Sequence, residues 1–300
     1  SFHAERAGKL ERAATFLLYH AVKNLILSEY QLTENACLQV KNLCRDDHLN
    51  DTLLLFAEVI LCHSLVAKSG YSDPTLKASY ENALALCCDA TSHKISAQIN
   101  YGLFSYYASY GKFEDSLPYA KTLETLSVRH DDSQIALLSS KSIGLAKLLQ
   151  GKLTEAESYL NHAVQLAETL GSDSMIVEYG GDFGGYSRAW LALLLTMKGE
   201  LAKAQQCQDE ASRVSYDHKR TLAFVLAFPF IEQYTATAEQ AKQQAESLIE
   251  LANNHQLFFF GLLGEFNLLW AKGILNKAQW EHERVDWMLA QFEGINLYSF

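Results

Sequence analysis

The sequence predicts an all-α protein, a right-handed α-solenoid of about seven antiparallel helix pairs. Three observations carry that prediction. Only 3 prolines and 16 glycines occur in 300 residues, and few segments alternate apolar with polar residues as half-buried strands do. Between Gly151 and Gly171, small and apolar residues fall at 153, 156, 160, 163, 167 and 170, steps of three and four that make one stripe of a helix. That stripe recurs. Ala36, Leu76, Ser116, Ala156, Ala204, Ala241 and Ala278 are spaced by 40, 40, 40, 48, 37 and 37 residues. Such a period marks a two-helix unit that buries its apolar side only against the next unit.

Seven residues beyond each of these positions, the same face carries Leu43, Ala83, Leu123, Ala163, Ala211, Leu248 and Val285. Five residues before, the turn is marked by Gly111, Gly151, Gly199 and Gly273, with Gln31, Tyr71 and Ala236 in the other copies. Residues 1–8 read as the stub of an earlier helix stopping at Gly8, and the chain as one domain over 1–300, a fragment of a longer protein. The pairs are expected at 10–45, 49–89, 93–129, 133–170, 174–216, 219–253 and 256–293. Asp73-Pro74 supplies an N-cap followed by a proline at the first helical position. Gly171 suits the end of the helix over 153–170, with Ser172-Asp173 as the next cap. Thr237 and Gln240 have capping-box spacing. Pro229 is expected to kink the helix over 219–235. Pro118 lies either late in a first turn or beyond a helix start placed too early.

Composition excludes several function classes. The net charge is −10 with a pI near 5.5, and no Lys/Arg cluster reaches the density of a phosphate-tracking face, so nucleic-acid binding is not expected. The six cysteines, at 37, 44, 62, 87, 88 and 207, include no Cys-x-x-Cys and read as buried thiols of a reducing cytoplasm. No apolar run approaches the ~20 residues that span a bilayer, and no signal peptide is evident. There is no phosphate-binding Gly-x-x-x-x-Gly-Lys-Ser/Thr loop. Glu281-His282-Glu283 has no second histidine four residues away, so no zinc site is expected. No nucleophile elbow or Cys/His pairing appears either. No cofactor, metal or catalytic group is therefore assigned, and the segment is read as non-enzymatic.

The Gly-x-Leu-x-x-Ala spacing resembles the tetratricopeptide repeat, best at Gly144, Gly151, Ala156 and Ala163 and at Gly199, Ala204 and Ala211. A longer likeness runs through Lys68–Cys87, Tyr179–Gly184, Leu222–Phe228 and Ala245–Ala252, in that order. These segments look like the C-terminal helical-repeat region of large bacterial signalling ATPases, in which a nucleotide cyclase, kinase or winged-helix domain precedes an AAA-type ATPase. The resemblance implies a regulatory interaction or sensor module of a cytoplasmic bacterial signalling or transcription-regulating protein.

Two places are candidate sites. Glu178–Arg188 holds four glycines in six positions, which lets backbone N–H groups approach a ligand, with Asp182 and Arg188 to orient a polar one. The bland alternative is an elbow where glycine absorbs a change of direction. The other candidate is the inner wall. In tetratricopeptide repeats the first helix of each pair lines the groove, and the register transfers those positions to Tyr101 and Ser105, Lys141 and Leu145, Tyr186 and Ala189, Leu226 and Phe230, and Leu263 and Asn267. Aromatics with a few polar handles suit an extended peptide or partner helix; packing between repeats is the competing use. The expected partner is a peptide or protein, including other domains of the same protein. A small ligand at 179–188 and a homodimer through 256–300 are alternatives. Phe258-Phe259-Phe260 reads as core, with exposure of the middle ring as the alternative, and His255 is expected at a helix end near the last carbonyls.

Overall fold

The computed structural model describes residues 2–27, 29–47, 51–227, 237–255, 257–275 and 281–294. Among these there is no strand. The helices are α1 (Phe2–Ile26), α2 (Tyr30–Asp47), α3 (Asp51–Ser69), α4 (Pro74–Ala85), α5 (His93–Ser109), α6 (Phe113–His130), α7 (Ser133–Leu149), α8 (Leu153–Leu170), α9 (Ser172–Tyr179), α10 (Phe183–Met197), α11 (Leu201–Val214), α12 (Lys219–Ala227), α13 (Ala238–Asn254), α14 (Phe258–Leu275) and α15 (His282–Gly294). Through most of the chain each helix packs on the next. The contacts gather into two compact units that divide at Tyr119 and Ala120, within α6.

The repeat stripe is the buried one. Leu76, Ser116, Ala156 and Ala204 are completely buried, and so are Ala83, Leu123, Ala163, Ala211 and Leu248 seven residues on; Ala278 lies outside the described residues. The turns form as their residues dictate. Gly111, Gly151 and Gly199 take φ of 67°, 74° and 77°, the left-handed region that costs a Cβ-bearing residue about 1–2 kcal/mol. The Asp73 carboxylate accepts from the Thr75 amide with Pro74 opening α4, and Thr237 with Gln240 completes a capping box on α13.

In the N-terminal unit, α1 to α5 share a core of Ala14, Leu18, Ala21, Val40, Ala57, Leu76, Ile99 and Leu103. A Cβ on Gly102 would lie 2.1 Å from the Tyr80 ring, so α5 meets α4 where it has no side chain. One ion pair is buried there, Lys41 Nζ to Glu58 Oε1 at 2.6 Å, with Glu58 2% exposed. Burial and the neighbouring Glu58 charge push the Cys37 thiol up to about 12, which makes it inert.

In the second unit, α7 and α8 form the most regular hairpin. A Cβ on Gly144 would meet Leu160 Cγ at 2.8 Å, the close crossing that small residues permit. Asp132 caps α7 by accepting from the amides of Gln134 and Ile135.

Several expectations change. Residues 2–26 form one continuous helix through Gly8, because a single glycine costs a helix only about 1 kcal/mol. Gly273 lies within α14, which runs on to Leu275, so it marks no turn. Helix α4 stops at Ala85, short of 89. Pro118 sits inside α6, whose start at Phe113 is where the register put it. The first helix of the fifth pair is two helices, α9 and α10, broken at Gly180–Asp182. Three thiols are buried, but Cys87 and Cys207 are half-buried and Cys88 is exposed. Phe258, not Phe259, is the exposed ring of its trio, at 75%. One described helix, α14, is by length and composition apolar enough to cross a membrane. It nevertheless carries Glu265, paired with Arg284, and Asn267, hydrogen-bonded to the Ala227 carbonyl, polar groups that are costly in lipid.

Candidate functional site

The polar and aromatic residues of the second unit converge where α7, α10 and α12 meet. Tyr186 on α10 is half-buried. Its ring stands edge-on to Phe224 of α12, with centroids 4.8 Å apart at 86°, and edge-on to Phe183 at 5.6 Å. Trp190, one turn further along α10, meets the same Phe224 at 5.7 Å. Edge-to-face geometry of this kind adds about 0.5–1.5 kcal/mol per pair beyond burial. The result is a cluster of four rings on two helices, in which Phe183 and Trp190 are buried and Tyr186 and Phe224 form a half-buried aromatic wall.

Lys141 on α7 faces this wall. It is 6% exposed, and burial pulls its ammonium down to about 8, with the Tyr186 phenol opposing. Its neighbours in sequence, Ser139, Ser140 and Ser142, are buried too. Ser140 Oγ lies 3.1 Å from His162 Nδ1 of α8, and Ser142 Oγ has no hydrogen-bond partner. A buried ammonium beside aromatic rings favours an anionic oxygen, since a low dielectric strengthens the attraction.

The glycine-rich segment before α10 is filled by protein. Gly180 ends α9 at φ 73°, in the left-handed region. A Cβ on Gly184 would sit 3.1 Å from Ala167 Cβ, and one on Gly185 only 1.9 Å from Ser215 Oγ. The glycines let α10 enter between α8 and the α11–α12 turn. Asp182 is 2% exposed. Its Oδ1 accepts from the amides of Gly184 and Gly185, capping α10, and its own N–H donates to Thr221 Oγ1 at 3.1 Å. Arg188 donates to the Gly184 carbonyl and pairs with Glu168 Oε1 at 2.7 Å. Asp182 and Arg188 thus hold the elbow together. Burial lifts the Asp182 carboxyl above its usual range although the two glycine amides and Arg188 oppose the shift.

The remaining sequence candidates are dispersed. Tyr101 is 8% exposed and packs edge-on to Tyr71 within the N-terminal unit, and Ser105 is buried there. Asn267 donates to the Ala227 carbonyl at 3.1 Å, tying α14 to α12. Leu226 and Leu263 belong to an apolar cluster with Ala223, Ala227 and Leu248. Phe230 lies outside the described residues. Of the sequence candidates, Lys141 and Tyr186 lie near Phe224 and Trp190, two rings that the groove register did not single out. Phe224 stands two residues before Leu226, the position that the register assigned on this helix. The open depression lined by Glu246, Ile249, Glu250, Asn253, Asn254 and Leu268 lies between α13 and α14, away from the elbow.

No family model matches the chain, and no curated protein matches its sequence. Solved structures do. A Rap protein complexed with Competence and Sporulation Factor superposes with a TM-score of 0.64 at 13% identity, covering 95% of this chain and 78% of that one. The Rap conjugation gene regulator of plasmid pLS20, in complex with the Phr* peptide, gives 0.64 at 16% identity over 95% of this chain and 85% of its own. The apo form of RapI gives 0.53 at 11%, with 94% and 76% covered. The chain has the fold of these proteins, an all-α tetratricopeptide-like repeat of adjacent helix pairs.

Proposed function

We propose that this chain is a non-catalytic interaction module of a cytoplasmic bacterial signalling or transcription-regulating protein. It takes an extended peptide or partner segment on the wall formed by α7, α10 and α12. The observation that supports this most is the juxtaposition of Lys141 with the half-buried Tyr186 in a row of four aromatic rings. Tyr186 and Phe224, both half-buried, offer apolar contact there over the buried Phe183 and Trp190, and Lys141 brings an ammonium to one anionic group. Two of the structurally similar proteins were solved with a bound factor or peptide, which accords with that use of the fold. Occupancy of the wall would favour one arrangement of the helix pairs and so bias attached effector domains, including those of the ATPase-linked architecture the sequence resembles. The elbow is disfavoured as a ligand pocket, since its glycines face side chains at contact distance and its Asp182 and Arg188 are engaged.

The test is selection from a random short-peptide library with free C-termini, followed by fluorescence anisotropy of the enriched sequences. Tyr186→Ala and Lys141→Met are each expected to weaken binding at least about tenfold, the effect of losing one buried anchor. Enriched peptides that bind both variants as well as the parent protein would move the site elsewhere, and a library yielding none would remove the reading.

A further inference from the structure

The elbow is tied to α12 by a chain of hydrogen bonds that depends on one imidazole. The Asp182 amide donates to Thr221 Oγ1 at 3.1 Å, and Thr221 Oγ1 lies 2.6 Å from His218 Nδ1. The Thr221 amide also points at His218 Nδ1, at 3.3 Å. An N–H aimed at a ring nitrogen requires its lone pair, so Nδ1 is the acceptor and the ring is neutral with its proton on Nε2. The Thr221 hydroxyl then donates to Nδ1 and accepts from Asp182. His218 precedes the first residue of α12 and its carbonyl accepts from the Leu222 amide, so the ring also caps that helix. Thr221 is completely buried, while His218 is half-buried and open to protons.

A second feature of the same cell is that Asp182 Oδ2 is buried with no hydrogen-bond partner, since Oδ1 takes both glycine amides. Buried carboxylate oxygens are rarely left so. We infer that His218, Thr221 and Asp182 form an acid-sensitive latch between the α9–α10 elbow and α12. With the ring neutral, the relay runs from the Asp182 amide through Thr221 to Nδ1. On protonation Nδ1 becomes a donor facing the Thr221 amide, which loses its acceptor. The imidazolium turns to the acceptor left open, Asp182 Oδ2, and the Thr221 hydroxyl, deprived of the lone pair that oriented it, no longer holds the Asp182 amide in place. Tyr186 and Phe224 sit on the two elements so joined, and opening the latch loosens the aromatic wall.

The charges around the ring come from each element that meets it. Arg220 on α12 opposes protonation and Asp182 of the elbow favours it. Arg188 on α10 acts on Asp182 in turn. Asp217 and Lys219 flank the ring in sequence, and Lys219 donates to the Tyr216 carbonyl. Burial, first, and Arg220, second, hold the imidazole below its usual 6.5. The unfolded chain therefore takes up the proton more readily than the folded one. The latch is fully closed above pH 6.5 and is lost as pH falls below that value toward the depressed folded one.

The test needs no ligand. Amide hydrogen exchange of Asp182, Gly184 and Gly185, corrected for intrinsic rates, is followed from about pH 8 to pH 5. The parent protein is expected to lose protection at Asp182 severalfold across this range. His218→Asn keeps an acceptor in the place of Nδ1 and cannot titrate, so its protection at Asp182 should stay level. Thr221→Val should be poorly protected at every pH. Ring nitrogen-15 shifts of His218 should report the Nε2–H form at neutral pH. The same pH step in His218→Asn, or an Nδ1–H ring at neutral pH, would overturn the latch.

Discussion

The fourth and fifth helix pairs begin from the same plan and end differently. In α7–α8, Gly144 admits Leu160, Gly151 turns the chain, and Ala156 and Ala163 are completely buried. In the fifth pair Ala204 and Ala211 do the same work on α11, but the first helix breaks at Gly180–Asp182 into α9 and α10. The break sets a buried Asp182, a buried Arg188 and the half-buried Tyr186 within seven residues. A regular pair needs only apolar contact with its neighbours. An interrupted one must satisfy the freed backbone groups with side chains, and that is what concentrates polar residues beside the wall.

The comparison breaks first at the two close-approach glycines. Gly185→Ala places a Cβ 1.9 Å from Ser215 Oγ, with Thr221 Cγ2 also crowded, and is expected to cost about 3 kcal/mol. Gly144→Ala meets Leu160 Cγ at 2.8 Å and the Leu160 backbone N at 3.2 Å, a milder overlap than 1.9 Å, and should cost about 1–2 kcal/mol. Urea melts of both proteins measure the difference; equal costs would mean that the elbow is no tighter than the regular crossing.

Lys141 sharpens the contrast between burial for packing and burial for binding. The effect of Lys141→Met is read most directly in the pH dependence of stability, because the substitution removes the desolvation cost of a buried ammonium. Its folded value is lowered from 10.5 to about 8, so over that interval the unfolded chain holds more protons than the native one. Native stability should therefore climb as pH rises from about 8 toward 10.5, the charge penalty being greatest below that range. The Met variant lacks this rise. Thermal melts of the two proteins against pH check it, and parallel curves would show that Lys141 is not desolvated.

The smallest effect is at the regular turn. Gly151, at φ 74° with nothing within 4 Å of a Cβ, should lose about 1 kcal/mol as Gly151→Ala, from backbone strain alone. A loss as large as that of Gly185→Ala would mean that the turn, and not the elbow, is the sensitive joint.

Much of the fold was legible because helix periodicity is local. The stripe through Ala156 and Ala163, the cap at Asp73-Pro74 and the capping box at Thr237 each depend on residues within one or two turns. The site was less legible. The groove register carried over from regular repeats named Lys141 and Tyr186, which lie near each other, and Leu226, which packs on an apolar cluster, while Phe224, the ring beside Tyr186, was not in it. It also offered Tyr101, which is packing in the N-terminal unit.

By itself, then, the sequence determined that the chain is helical, where most pairs begin, and which face of each second helix is buried. Tertiary structure alone decided that Asp182 bonds Thr221 across 39 residues, that Glu168 and Arg188 pair across 20, and that Lys141 lies within electrostatic reach of Tyr186. The physical reason is that a stripe encodes only a direction from its own helix axis. What lies in that direction depends on crossing geometry and on the length of each connection, and the interrupted fifth pair is where both depart from the repeat.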